Sequence, residues 1–188
     1  STSKLQPTRF LAYERNTGLV ATVGGLPGVG RPEVLHVAAN NHSDTEIIRA
    51  GEPGSSFRGI GIINSTHLVV VSVEASAANR SCLLIVNRNA DHANDHKINL
   101  DVDASDIAVA HKHKRIYVSH ATNQHVSVVD LMDSQPTARI FVSLKARPVG
   151  LALSRDEAAL FNATPTQIHC RQTEEEHSTK LCLKDVYF

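Results

Sequence analysis

The sequence predicts an all-β protein in which sixteen strands form four four-stranded sheets. Short apolar runs with alternating polar residues recur along the chain, as expected of half-buried strands. No stretch of ten or more residues has a convincing helical period. The chain has 188 residues, of which 41% are hydrophobic and 4% aromatic, with no Trp. That length and composition support one substantial core, so the chain is predicted to be a single domain over residues 1–188.

The first two strands of each sheet come from an internal repeat. Four segments align without a gap, and in each a second apolar strand begins nine positions after the first. Successive copies begin 50, 47 and 44 residues apart, close to the roughly 40 to 50 residues of a four-stranded propeller blade. The segments are FLAYERNTGLVAT from Phe10, IGIINSTHLVVVS from Ile60, IAVAHKHKRIYVS from Ile107 and LALSRDEAALFNA from Leu151.

The third and fourth strands of each sheet are runs rich in Val, Ile and Leu. The third strands are predicted at Val34–Ala39, Cys82–Asn87, His125–Leu131 and Ile168–Arg171, and the fourth at Glu46–Ala50, Lys97–Val102, Ala138–Leu144 and Lys180–Phe188. Turn residues such as Asn16-Thr17-Gly18 and Asn123-Gln124 separate the runs. The sequence therefore predicts a β-propeller with blades over about residues 8–51, 58–102, 105–144 and 149–188.

The third unit contains the motifs RIYVS at Arg115–Ser119, followed by His120, and VSVVD at Val126–Asp130, and the fourth unit opens with Arg147–Asp156. These motifs resemble the YVTN-type β-propeller repeat, which includes propellers like the quinoprotein amine dehydrogenase β-chain. RIYVS matches the strand that names the repeat, with His120 in place of the usual Asn, VSVVD matches the third strand, and Arg147–Asp156 matches the family's opening of a unit. The resemblance implies a ring of about seven blades. Known members include surface proteins, periplasmic binding or scaffold proteins, and domains of quinoprotein or lyase enzymes.

Four blades are few for such a ring, and this shortage has a physical consequence. A blade buries both of its faces against neighbouring blades, so an open row leaves two apolar faces exposed. Monomeric proteins rarely expose large apolar patches. We therefore expect a partial ring completed by a protein partner, by a second copy or by a missing remainder of the parent protein. A small closed ring is the alternative.

Composition and motifs favour a non-enzymatic interaction or scaffold role. Lys and Arg number 19, as do Asp and Glu, so the chain has no basic field for nucleic acid. No apolar run reaches the length of a membrane span. Neither a G-x-S-x-G elbow nor a phosphate-binding loop before a helix occurs, and no cofactor is predicted. A propeller enzyme of the quinoprotein or lyase type and a cell-surface recognition domain are the alternatives.

Ligand-binding candidates are the charged residues that enter the innermost strands, namely Arg9, Arg58, Asp106 and Arg147. Arginines near one channel mouth could hold an anion through paired hydrogen bonds, although they could equally be solvated loop residues. Propeller sites usually use the face that carries the second-to-third and fourth-to-first connections. Those connections are predicted at Gly24–Glu33, Gly51–Gly59, Glu74–Arg80, His120–Gln124 and Lys145–Gly150.

Eleven histidines suggest a metal site. His111 and His113 form an H-x-H turn, which the strand-turn-strand pattern brings to the same propeller face as His67. A transition metal needs three or four converging ligands. Because the spacing matches no rigid ligand motif, a solvated turn is the alternative interpretation.

Cysteines and glycosylation motifs bear on the compartment in which the protein works. The chain opens at Ser1, which fits a processed or excised piece. Acceptor motifs begin at Asn41, Asn64 and Asn79. A fourth, at Asn162, is followed by Pro165, which disfavours its use. Cys170 and Cys182 are predicted on paired strands, where facing positions suit a disulfide. These features favour an extracellular or luminal location, although Asn, Ser and Thr are also ordinary turn residues.

Overall fold

A computed structural model gives the three-dimensional structure and describes residues 10–15, 17–24, 33–38, 45–52, 54–74, 80–88, 96–173 and 182–183. All regular secondary structure within these residues is β-strand. Consistent with this, the described segments contain no helix of the length and apolarity that a membrane crossing requires. The chain divides into two compact units, Ser1–Leu100 and Asp101–Phe188.

The first unit contains two four-stranded antiparallel sheets. Its first sheet consists of β1 (Phe10–Glu14), β2 (Leu19–Gly24), β3 (Glu33–Ala38) and β4 (Thr45–Arg49). Its second sheet consists of β5 (Ser56–Ile62), β6 (His67–Val73), β7 (Ser81–Asn87) and β8 (His96–Asn99).

The second unit also contains two four-stranded antiparallel sheets. The third sheet consists of β9 (Ala104–Ala110), β10 (Arg115–His120), β11 (His125–Asp130) and β12 (Ala138–Ser143). The fourth consists of β13 (Gly150–Leu153), β14 (Ala159–Ala163), β15 (Ile168–Gln172) and β16 (Cys182–Leu183).

In every sheet, each strand pairs with the strand that follows it in the chain. The predicted all-β class, with sixteen strands in four sheets, is confirmed. The second and third sheets begin at Ser56 and Ala104, slightly before the starts predicted for their blades, and the predicted blade bounds stay a prediction. The prediction that residues 1–188 form a single domain stays a prediction, as does closure of the ring.

The core of the first unit lies between its two sheets. Alternate residues of a strand point to the same face, and on β2 these are Leu19, Ala21 and Val23, all buried. They pack in one cluster with apolar side chains of the second sheet, including Phe57 and Ile60. The inner face of the first sheet is therefore covered by the second.

The core of the second unit joins the third and fourth sheets in the same way. Tyr117 and Val128 of the third sheet share a cluster with Leu160 of β14, and Leu151 of β13 packs against it. The ring of Tyr117 meets Phe141 edge to face, with 5.1 Å between the ring centroids. Such contacts add to the free energy gained by apolar burial.

Large exposed apolar side chains lie on the first, third and fourth sheets, and the one on the third sheet is Ile140 of β12, which is 65% exposed. On β1, Leu11 and Tyr13 alternate with the residues that face the core, and they are 68% and 60% exposed. On β14, Phe161 lies on the opposite face from Leu160 and is 37% exposed. Leu11, Tyr13 and Phe161 lie on the faces turned away from the neighbouring sheet within each unit, and completion of the ring across such faces stays a prediction.

Candidate functional site

A cavity of about 430 Å³ lies between the third and fourth sheets. Its apolar lining comes from Val142 of β12, Leu144 after β12, and Leu160 of β14. Its polar lining includes Asn162, His169, Arg171 and Lys145. Lys145 is the first residue of the predicted binding-face connection 145–150. A cavity of this volume, mostly apolar with a few polar groups, has the character of a small-molecule site.

Strand register explains why these side chains converge. Leu160 lies opposite Arg171, and Asn162 lies opposite His169, in the β14–β15 pair. Residues two apart on a strand share a face, so these four side chains point the same way. Because Leu160 packs against the third sheet, the other three are directed to the same side.

Asn162 is the most unusual residue of the cavity. It is 4% exposed, and neither its side-chain oxygen Oδ1 nor its nitrogen Nδ2 has a hydrogen-bond partner in the described part of the chain. Leaving a buried polar group unpaired costs about 1–3 kcal/mol. A glycan on Asn162 would not fit the folded structure, because this side chain is buried.

Asp106, a predicted ligand-binding residue, joins the third and fourth sheets. Its Oδ1 accepts a hydrogen bond from the backbone N–H of Ile107, at 2.8 Å, and its Oδ2 accepts one from Leu151, also at 2.8 Å. Burial raises the pKa of the Asp106 carboxyl, and the two N–H donors oppose this shift. The contact with Leu151 connects the innermost strands β9 and β13.

The structure describes two of the three predicted arginines, and both are exposed. Arg58 is exposed on β5, beside a shift in the β5–β6 register between Phe57 and Gly59. Arg147 is exposed in the connection between β12 and β13. Arg9 lies outside the described residues. Arg58 belongs to the first unit and Arg147 to the second. Ligand binding by these residues and by Asp106 stays a prediction.

The predicted metal ligands also belong to two units. His67, in the first unit, contacts Thr66 Oγ1 at 2.8 Å through its Nδ1. His111 and His113 lie in the β9–β10 turn of the second unit. Across residues 10–173, apart from the gaps in the description, no three His, Cys, Asp or Glu side chains come together in an arrangement suited to a metal. The metal site therefore stays a prediction.

A stacked histidine pair was not identified from the sequence. His120 and His125 face each other across the β10–β11 pair, with ring centroids 4.2 Å apart and planes inclined by 23°. His120 Nδ1 is 3.4 Å from the carbonyl oxygen of Val102, and its Nε2 has no partner among the described residues. Burial, and then the charge of His125, lower the pKa of His120. Both effects favour the neutral form of His120 over the charged form.

Disulfide formation and glycosylation at the predicted positions stay predictions. Cys170 lies directly opposite Cys182 in the β15–β16 register. Cys82 is 2% exposed, and burial raises the pKa of its thiol. Asn64 is exposed in the β5–β6 turn, whereas Asn41 and Asn79 lie outside the described residues.

Comparison with solved structures identifies the fold. The chain is similar to a chain of a nidogen–laminin complex, with a TM-score of 0.67 and 11% identity over 95% of this chain and 65% of that one. For a chain of a mitotic checkpoint complex the TM-score is 0.69, with 9% identity, 93% of this chain and 49% of that one. For Kuenenia stuttgartiensis hydrazine synthase the TM-score is 0.62, with 12% identity over 89% of this chain and 59% of that one.

These structures are β-propeller-like, and at such low identity they show the fold alone. The chain thus has a β-propeller fold, and it spans about half to just under two thirds of the length of these proteins. No protein-family model matches the chain, and no curated protein matches its sequence.

We expect Asp106→Ala to destabilise the second unit by about 1–3 kcal/mol, because the N–H of Leu151 loses its acceptor in a partly buried position. Asp106→Asn keeps one acceptor oxygen, which can face Leu151, but loses the acceptor for Ile107, so its loss of stability should be smaller than that of Asp106→Ala. Urea unfolding followed by circular dichroism measures both. Equal midpoints for Asp106→Ala and the unsubstituted chain would contradict the role of this contact.

We also expect the chain to lose stability as the pH falls through about 6.5, the ordinary pKa of histidine. The pKa of His120 is lower in the folded state, so in this range the unfolded chain binds a proton that the folded chain does not. The free energy of unfolding therefore decreases with falling pH, until the pH is below the folded-state pKa.

Thermal unfolding between pH 7.5 and pH 5.5 tests this dependence. His120→Asn, which introduces the residue usual in the YVTN-type repeat, should flatten it, whereas substitution of exposed His96 by Gln should not. An unchanged pH dependence in His120→Asn would show that other groups cause it.

Proposed function

We propose that this chain is a non-enzymatic protein-interaction or scaffold module, built from blades of the YVTN type and completed by further blades. The observation that carries the proposal is the pair of apolar sheet faces that lack a neighbour within their units. They bear Leu11 and Tyr13 on the first sheet and Phe161 on the fourth.

The apolar area of these faces determines the free energy that a covering surface would gain. Burying apolar surface is worth about 25 cal/mol per Å², and large side chains in a row on one strand add up quickly. Two alternate positions of β1 are exposed by more than half, and packing of another blade on this face would bury their apolar area. The surface that suits such a face is another twisted sheet with an apolar face, contributed by a partner protein, a second copy or the parent chain.

The comparisons support this proposal in two ways. Two of the similar chains come from protein complexes, namely nidogen with laminin and the mitotic checkpoint complex. The chain also spans only 49% to 65% of the length of the three chains compared above, which leaves room for additional blades.

We further propose that the protein works in an extracellular or luminal compartment. Asn64 supports this, because the Oγ1 of Thr66 donates a hydrogen bond of 2.9 Å to its Oδ1 in an exposed turn. The acceptor motif is thus presented to solvent in a turn rather than in a paired strand. The opposed positions of Cys170 and Cys182 support a disulfide, which would persist in such a compartment.

Substitution of the apolar face tests the interaction role. If a second copy covers the first sheet, the chain should have a mass in solution that is a multiple of 20.4 kDa, and Leu11→Glu should reduce it to the monomer mass. Placing a charge in a buried apolar contact without a partner is strongly unfavourable. Light scattering after size-exclusion chromatography measures the mass.

Met132→Glu is the matched control, because Met132 is 76% exposed but lies in a turn outside the sheet faces. It should leave the mass unchanged. A stable 20.4 kDa monomer that binds no apolar dye would contradict the need for a covering partner.

Secretion from eukaryotic cells tests the proposed compartment. A mass shift removed by an N-glycosidase should disappear in Thr66→Ala, which destroys the motif at Asn64, unless the motifs at Asn41 or Asn79 are also used. The variants are therefore made in a chain in which Asn41 and Asn79 are Gln. In that chain Asn162→Gln should not change the shift, since Asn162 is buried. Secreted protein without a glycan at Asn64 would contradict this part of the proposal.

A further inference from the structure

We infer that the cavity between the third and fourth sheets binds a small ligand with an apolar body and a carboxylate group. This inference goes beyond the proposed interaction role and does not depend on it. It concerns one cavity within the second unit, whereas the interaction role concerns the outward faces of the sheets.

The amide of Asn162 is the first reason. Its side chain lines the cavity, is 96% buried and has an unpaired donor and an unpaired acceptor, as far as the described residues extend. Buried polar groups in folded proteins nearly always have a partner, and exceptions call for an explanation. A ligand that offers both an acceptor and a polar hydrogen, or a ligand together with a water molecule, would satisfy this amide.

The charge of the lining is the second reason. Lys145 and Arg171 line the cavity, His169 lies beside them, and no Asp or Glu is among its described lining residues. A guanidinium group can donate two parallel hydrogen bonds to one carboxylate, which gives both orientation and affinity. The lining therefore suits an anion and disfavours a cation.

The size and the apolar part of the lining define the rest of the ligand. At roughly 30 Å³ per small group, a cavity of about 430 Å³ holds about a dozen non-hydrogen atoms. Val142 and Leu160 are buried, and Leu144 extends the same surface. An aliphatic or aromatic chain can cover these side chains while its carboxylate reaches Arg171.

Octanoate and its neutral analogue octanamide provide the first test, because they share the apolar body and differ in charge. Each is titrated into the ¹⁵N-labelled chain and followed by amide chemical shifts. We expect octanoate to shift the signals of residues around Asn162 and Arg171, and to bind at least about tenfold more tightly than octanamide. Equal affinities would overturn the assignment of an anionic ligand.

Two variants locate the site. Asn162→Leu removes the unpaired amide at similar volume, so the melting temperature should rise while the octanoate affinity falls about tenfold or more. Arg171→Gln should remove the preference for octanoate over octanamide. Arg155→Gln is its matched control, because Arg155 is exposed in the β13–β14 turn and does not line the cavity.

The Asn162→Leu variant distinguishes binding in the cavity from binding of octanoate to apolar surface elsewhere. Octanoate that binds equally to the unsubstituted chain and to Asn162→Leu is binding at another place, which would overturn the inference. No binding of octanoate at millimolar concentration would overturn it as well. Neither result bears on the oligomeric mass, which tests the proposed interaction role separately.

Discussion

The structure depends on the fact that a four-stranded sheet of this protein has two apolar faces. Alternation along a strand sends every second side chain to each side, so a sheet packed on one side only still exposes the other. In the first unit, the inner face of the first sheet is buried through Leu19, Ala21 and Val23. On its outer face, Leu11 and Tyr13 stay exposed. The exposed positions Leu11 and Tyr13 on the first sheet and Phe161 on the fourth are the basis of the proposed interaction role.

Three polar side chains near one end of the third and fourth sheets are satisfied to different degrees. Asp106 has a backbone donor for each of its oxygens and joins β9 to β13. His120 has one long contact with a carbonyl and one unpaired nitrogen, beside the ring of His125. Asn162 has no partner in the described residues. Since burial without a partner is costly, Asp106 is a structural group, whereas the unpaired amide of Asn162 is the observation from which we infer a ligand.

The repeat made the strands predictable, because spacing and alternation depend on backbone geometry that every blade shares. Each of the sixteen predicted runs overlaps an observed strand. The cavity could not be predicted, because it depends on how far the third and fourth sheets approach and on which side chains fill the space. Asn162 was visible in the sequence only as part of a glycosylation motif, and His120 only as a departure from the YVTN pattern. The pairing of His120 with His125 followed from register, which the sequence leaves undefined at the level of single residues.

The consecutive pairing of strands has a consequence for how the chain acquires its structure during synthesis. Every hydrogen-bonded ladder joins neighbours in the chain, so a sheet can form as soon as its own residues have left the ribosome. The core of the first unit, however, draws on both of its sheets. The nascent sheet of β1 to β4 would therefore expose its apolar inner face until translation reaches about β8. A chaperone would have its greatest effect in that interval.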